Sequence, residues 1–281
     1  MCCMMRRFTF LRFLSIEVVL DAMAVGIFAV KWLRINPPAV WWPVLAISVW
    51  IIYTTDHLID AWQLKDKSTI DRHRFHHTYF GLFIGIIVVL AIGNLMMISF
   101  FSDPRIIAFG ILLAFIVFAY FTALLLKNIF RVHLPKELIV AFIFVSGIWF
   151  VPILLSNRNM DLLSVFILIL FLGLAFCEGA MVSFFEYKQD SIDSHTSFAV
   201  RYGPKITQIV LKIILLILLI TNLFLYIFTR STVEVAGLAI LLFMNLLLFI
   251  IVQYPDFFAK KGRYRIVGDL VFLLPALLYW M

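Results

Sequence analysis

The chain has 281 residues, 64% of them hydrophobic and 14% charged, with 23 Lys and Arg against 16 Asp and Glu. Soluble domains average about 45–50% apolar and about 25% charged residues, so the polar surface is too small for a soluble enzyme, a disordered chain or a secreted module. Cys2, Cys3 and Cys177 cannot form a disulfide framework and match no zinc spacing, and the formal charge of +7 bears first on membrane orientation, with no nucleic-acid partner expected.

A bilayer core of about 30 Å takes about 20 apolar residues per helix. Apolar runs of this kind predict nine spans, at approximately Phe13–Leu33, Ala39–Thr55, Thr78–Phe100, Ile106–Leu126, Leu138–Leu155, Leu162–Phe185, Ile206–Thr229, Val233–Val252 and Ile266–Trp280. Thirty Phe against nine Pro and twelve Gly suit long helices better than the short alternating strands of a barrel. The first run is too long for a cleavable signal and carries Glu17 and Asp21, so it is expected as a retained helix. The second and ninth are short and lean on flanking Trp and Tyr. No hydrophilic stretch is long enough for a separate soluble domain, so residues 1–281 are expected to form one membrane domain. An odd number of spans argues against two equal transporter-like halves.

The connections alternate in charge. Three Arg before the first span, then Lys65, Lys67, Arg72, Arg74, Lys127, Arg131, Lys136, Lys188, Arg201, Lys205, Lys260, Lys261, Arg263 and Arg265 fall on one side, which makes 17 of the 23 cations. Only Lys31, Arg34, Arg105, Arg158 and Arg230 fall on the other. By the positive-inside rule the first side is cytoplasmic, with the N-terminus inside and the C-terminus outside.

The acids cluster on that same side. Asp56, Asp60, Asp66 and Asp71 follow the second run, and Glu186, Asp190 and Asp193 follow the sixth. Asp56 and Asp60, like Glu186 and Asp190, are four apart at the end of an apolar run, which sets each pair on one helix face. Like charges so placed repel unless a cation neutralises them. Mg²⁺ prefers carboxylate oxygens and keeps room for substrate phosphates, so the expectation is that each pair holds metal and that the metals hold a diphosphate between them. For either segment alone, a solvated acidic helix cap is the competing explanation.

At these residues the sequence resembles the UbiA superfamily of intramembrane prenyltransferases, which has nine helices and two aspartate-rich cytosolic loops after the second and sixth. Asp56-x-x-x-Asp60 is similar to the first family motif, with Leu64 where a third Asp is frequent. Glu186-x-x-x-Asp190, followed by Ser197 and Gly203 within "EYKQDSIDSHTSFAVRYG", is similar to the second, with Glu186 in place of Asp and Ser194 where Gly is frequent. The stretch "LPKELIVAFIFVSG" resembles the family's entry into its fifth helix.

The resemblance implies an all-α, UbiA-like bundle of about nine spans, with a central cavity open to the cytoplasmic side, in a membrane expected to be a bacterial inner membrane. It implies transfer of a prenyl group from a polyprenyl diphosphate to an aromatic or other lipophilic acceptor, with Mg²⁺ as cofactor. Asp56, Asp60, Glu186 and Asp190 are the expected catalytic metal carriers, supported by Asp193. Lys136, Arg74 and Lys188, then Arg72, Arg131 and Arg201, are the candidate diphosphate contacts. Tyr53, Tyr120, Phe121 and Tyr187 could shield an allylic cation through their ring faces, although in so aromatic a chain each is an ordinary packing residue first. His57, His73, His76 and His77 form a basic interfacial stretch sooner than a transition-metal site. A silent lipid-binding relative and a transporter or channel are the alternatives, the latter drawing on Glu17, Asp21 and Glu178. No protein partner is identifiable.

Overall fold

The computed structural model describes residues 13–64, 71–101, 103–125, 135–156, 160–193 and 196–281, with the backbone alone at 64 and 71–73. Every element among them is helical. In chain order these are α1 (Ile16–Leu33), α2 (Trp41–Leu64), α3 (Asp71–Thr78), α4 (Phe80–Ile98), α5 (Pro104–Leu125), α6 (Lys136–Leu155), α7 (Leu162–Phe185), α8 (Tyr187–Ile192), α9 (Phe198–Tyr202), α10 (Pro204–Phe228), α11 (Thr232–Gln253), α12 (Pro255–Ala259) and α13 (Arg263–Leu273), closed by a 3₁₀ turn at Leu274–Trp280.

Among the described residues, seven helices are long and apolar enough to cross a membrane: α2, α4, α5, α6, α7, α10 and α11. The chain is an integral membrane protein. Seven is fewer than the nine runs read from the sequence. The first run, as α1, has 18 residues and carries Glu17, Asp21 and Lys31. The ninth divides into an 11-residue α-helix and a 3₁₀ segment. Broad apolar faces lie open: Val89 is 69% and Phe115 68% exposed. Faces of that kind would aggregate in water and are stable against lipid.

The chain groups into two compact units, Met1–Met23 with Pro38–His133, and Ala24–Pro37 with Leu134–Met281. In the first unit α2 packs against α3, α4 and α5. Polar bonds fix this packing where lipid offers none: Asn94 donates to Ser48 Oγ at 2.8 Å, Trp50 Nε1 to the Leu14 carbonyl at 2.8 Å, and Gln63 to the Leu124 carbonyl at 3.2 Å. In the second unit α7 lies against α6, α10, α11 and α13. Its core is an aromatic group in which the Phe28 ring meets Trp32, Trp149 and Phe171 at centroid distances of 5.7, 6.2 and 5.0 Å. Trp32 Nε1 donates to Ser164 Oγ at 3.1 Å, and Asp161 caps α7 by accepting from the Ser164 amide at 2.9 Å.

Candidate functional site

The first acidic pair lies on a helix, not in a loop. α2 continues from its apolar stretch through Asp56 and Asp60, because nothing between Tyr53 and Leu64 breaks the helical hydrogen bonding. Both carboxylates are half-buried. Tyr120, buried on α5, donates its hydroxyl to Asp56 Oδ1 at 3.3 Å. The Tyr120 ring, a candidate cation shield, thus also orients an acid. Arg74 is exposed on α3, and Arg72 lies on the same helix with only its backbone described. Arg131, Lys127 and Asp66 fall outside the described residues. The His57 and His76 rings meet edge to face at 5.5 Å, and His76 stacks on Phe83 at 4.7 Å.

The second acidic segment is built around a helix break. α7 ends at Phe185, Glu186 adopts φ −95° and ψ 7°, and α8 resumes at Tyr187. The Asp190 amide still donates to the Glu186 carbonyl at 2.9 Å, so the spacing of four keeps its one-turn meaning across the break. Asp190 and Asp193 are buried, whereas Lys188 is exposed.

The tail after Asp193 folds back on α6 and α7. Its short helix α9 begins with two amides that intrahelical bonds cannot serve. Glu137 Oε1 accepts from the Phe198 amide at 2.7 Å, and Ser183 Oγ accepts from the Ala199 amide at 3.2 Å. Gly203 then turns the chain into α10 at φ +85° and ψ 151°, a backbone geometry open almost only to glycine. Lys136 stands beside Glu137 at the start of α6, half-buried. Arg201 is exposed, with its guanidinium 5.5 Å from the Tyr202 ring centre.

Residues that sequence patterning did not single out surround Glu186. Tyr264 donates to Glu186 Oε1 at 2.7 Å, and Arg265 at the start of α13 takes both carboxylate oxygens through Nε and Nη2. Burial and then the Glu186 charge hold the Tyr264 phenol above its ordinary value. For Arg265, burial is the largest single influence and would lower the guanidinium, but the charges of Glu186 and Tyr264 and the hydrogen bonds to them together hold it above its ordinary value. Arg265 entered the sequence reading only as a topology charge, and its distance of 79 positions from Glu186 left no local signal.

Among the described residues, no three His, Cys, Asp or Glu side chains converge as a ready metal cage. Mg²⁺ typically takes only one or two carboxylates and completes its shell with waters and substrate phosphates. Asp56 and Asp60 in the first unit, and Asp190 and Asp193 in the second, each offer a pair of hard carboxylates of that kind. Glu186 does not fit, because its oxygens are committed to Arg265 and Tyr264.

No protein-family profile and no curated protein matches the sequence. Solved structures do. A UbiA homologue from Archaeoglobus fulgidus bound to GPP and Mg²⁺ superposes with a TM-score of 0.65 at 12% identity, over 96% of this chain and 99% of that one. The homologue from the same organism bound to DMAPP and Mg²⁺ gives 0.62 at 14% identity, with the same coverage. A structure concerned with digeranylgeranylglyceryl phosphate synthase in membranes gives 0.55 at 13% identity, over 96% of both chains. The class is therefore set by the fold: an all-helical integral membrane protein with the architecture of the UbiA homologues.

Proposed function

We propose that this chain is an intramembrane prenyltransferase of the UbiA superfamily, acting as one domain over its whole length. Its reaction moves a prenyl group from a polyprenyl diphosphate to an aromatic or other lipophilic acceptor. The observation that carries this reading is the likeness, over 96% of the chain, to a UbiA homologue bound to GPP and Mg²⁺. The charge distribution supports an orientation with the N-terminus and both acidic segments on the cytoplasmic face.

In this reading the allylic C–O bond breaks and its electron pair leaves on the diphosphate. An electron pair of the acceptor forms the new bond to the prenyl carbon, and the acceptor's proton is released. Mg²⁺, when bound, supplies positive charge where negative charge develops on the leaving oxygens. Asp56 and Asp60 on α2 would be the metal carriers of the first acidic segment, and Asp190 and Asp193 those of the second. Tyr120 keeps Asp56 oriented through its hydroxyl. Lys136, Arg74, Lys188 and Arg201, with Arg72 and Arg131, are the cations proposed to contact the diphosphate. Arg grips phosphate with a two-pronged fork, whereas Lys acts as a point charge. The hydrocarbon tail lies in the bilayer, where it meets no aqueous solvent.

The test is thermal unfolding of the purified protein in detergent with farnesyl or geranylgeranyl diphosphate, with and without Mg²⁺. A ligand at about a hundred times its Kd stabilises by about 2.7 kcal/mol, an effect expected only when metal is present. It should disappear in Asp60→Ala and Asp190→Ala; stabilisation that persists in both variants removes these acids from the site. Appearance of a prenylated product over a panel of aromatic acceptors separates an enzyme from a silent lipid binder.

A further inference from the structure

Glu186 aligns with a position where the UbiA-like motif expects a metal-binding Asp, yet its carboxylate already carries a cation. A carboxylate offers about four lone-pair sites, and three are engaged by Arg265 Nε, Arg265 Nη2 and the Tyr264 hydroxyl. The pair is partly buried, with side-chain exposures of 23% for Arg265 and 15% for Glu186. Breaking a pair in such a setting costs at least about a hundredfold in equilibrium. A metal ion at Glu186 would have to meet that cost.

Independent packing holds Arg265 in place. The neighbouring Tyr264 ring stacks on Phe185 with centroids 4.4 Å apart and planes 11° from parallel. Gly268, one turn further along α13, lets the helix sit so close to α7 that an added Cβ would lie 3.2 Å from Met181 Cε and 3.6 Å from Glu178 Oε1. Two of the guanidinium's three nitrogens are used on Glu186. Nη1 makes no hydrogen bond among the described residues, and the side chain is not fully enclosed.

We propose that Arg265 is a diphosphate-binding residue: its guanidinium is the built-in cation of the second acidic segment, standing at Glu186 in place of a metal ion, with Nη1 donating to diphosphate oxygens. Metal in that segment is then carried by Asp190 and Asp193. This rests on the prenyltransferase reading. An arginine suits the position because one planar fork can hold a carboxylate along one edge and a phosphate along another.

The experiment uses the full chain in detergent, with inorganic pyrophosphate as the anion and Mn²⁺, read by electron paramagnetic resonance, as the metal. Glu186→Gln is expected to keep wild-type Mn²⁺ affinity, while Asp190→Asn loses roughly 10–100-fold. Arg265→Gln is expected to weaken pyrophosphate by about tenfold with Mn²⁺ still bound, and Arg265→Lys to restore only part of it. A Glu186→Gln variant that loses Mn²⁺ as Asp190→Asn does overturns the proposal, and so does an Arg265→Gln variant with wild-type pyrophosphate affinity. Unfolding temperatures in EDTA provide a metal-free arm: the losses in Glu186→Gln and Arg265→Gln should fall short of additive in the double variant, and strict additivity overturns the pairing. A wild type that takes up no Mn²⁺ with pyrophosphate overturns the prenyltransferase reading, and non-additivity in EDTA then still upholds Arg265 as the cation of Glu186.

Discussion

Replacing Gly203 by Ala tests the turn that ties the second acidic segment to the helix bundle. A Cβ built on Gly203 meets nothing within 4 Å, so the substitution introduces no clash with neighbours and its whole cost is backbone strain. At φ +85° and ψ 151° a side-chain-bearing residue is strained by about 1–3 kcal/mol. The chain could escape by rotating to negative φ. That would disturb the Gly203 amide bond to Ala199, at 2.9 Å, and the Thr207 amide bond to the Gly203 carbonyl, at 3.0 Å. It would also draw Phe198 and Ala199 away from Glu137 and Ser183. A mid-range loss of about 2 kcal/mol is a factor of about 30 in the folding equilibrium. For a chain of this size it lowers Tm by roughly 3–4 °C. Thermal unfolding in detergent measures it, with Gly110→Ala as control. Gly110 lies within α5 with nothing within 4 Å of a built Cβ, so alanine there should be neutral or stabilise by up to about 1 kcal/mol. If Gly203→Ala melts with the wild type while the control behaves as expected, the glycine-only geometry is not what connects α9 to α10.

Two further substitutions probe the core of the second unit. Gly237→Ala would set a methyl 2.8 Å from Trp32 Cζ3 and 3.0 Å from Phe28 Cζ, inside an aromatic group with little room to yield; a loss of about 1–3 kcal/mol is expected in unfolding experiments, and a neutral outcome contradicts close packing of α11 on α1. Asp161→Ala removes the cap on α7 and should cost about 1 kcal/mol, whereas Asp161→Asn, which keeps an acceptor oxygen, should retain most of the stability. Equal losses in the two variants would show that the cap bond is not the source.

The sequence patterns that succeeded are those with a local physical cause. Leu162–Phe185 is the helix that its apolar run predicted, because Asp161 caps one end and the Glu186 break closes the other. Asp56 and Asp60 share a helix, as their spacing required, though that helix runs on to Leu64 and makes the first motif a helical segment instead of a loop. The ninth run had the length of a span but divides at Leu274, where the hydrogen bonding tightens ahead of Pro275. The contacts of the acids were not legible. Tyr120 reaches Asp56 across 64 positions and Glu137 reaches Phe198 across 61. Pairings of that kind are decided by how helices lie against one another, and a one-dimensional pattern of charge carries no trace of it. Arg265 shows the cost most clearly: as one of 17 same-side cations it looked interchangeable, and only tertiary packing distinguishes it.

The uninterrupted run of α2 has a mechanical consequence. Its 24 residues rise about 36 Å, more than the roughly 30 Å of a hydrocarbon core. Asp56 and Asp60 are therefore mounted towards the end of a stiff rod whose shaft packs against α3, α4 and α5, with no loop in between to absorb movement. Any lean of that shaft adopted to suit a thicker or thinner membrane carries both carboxylates with it, as a pair and without changing the distance between them.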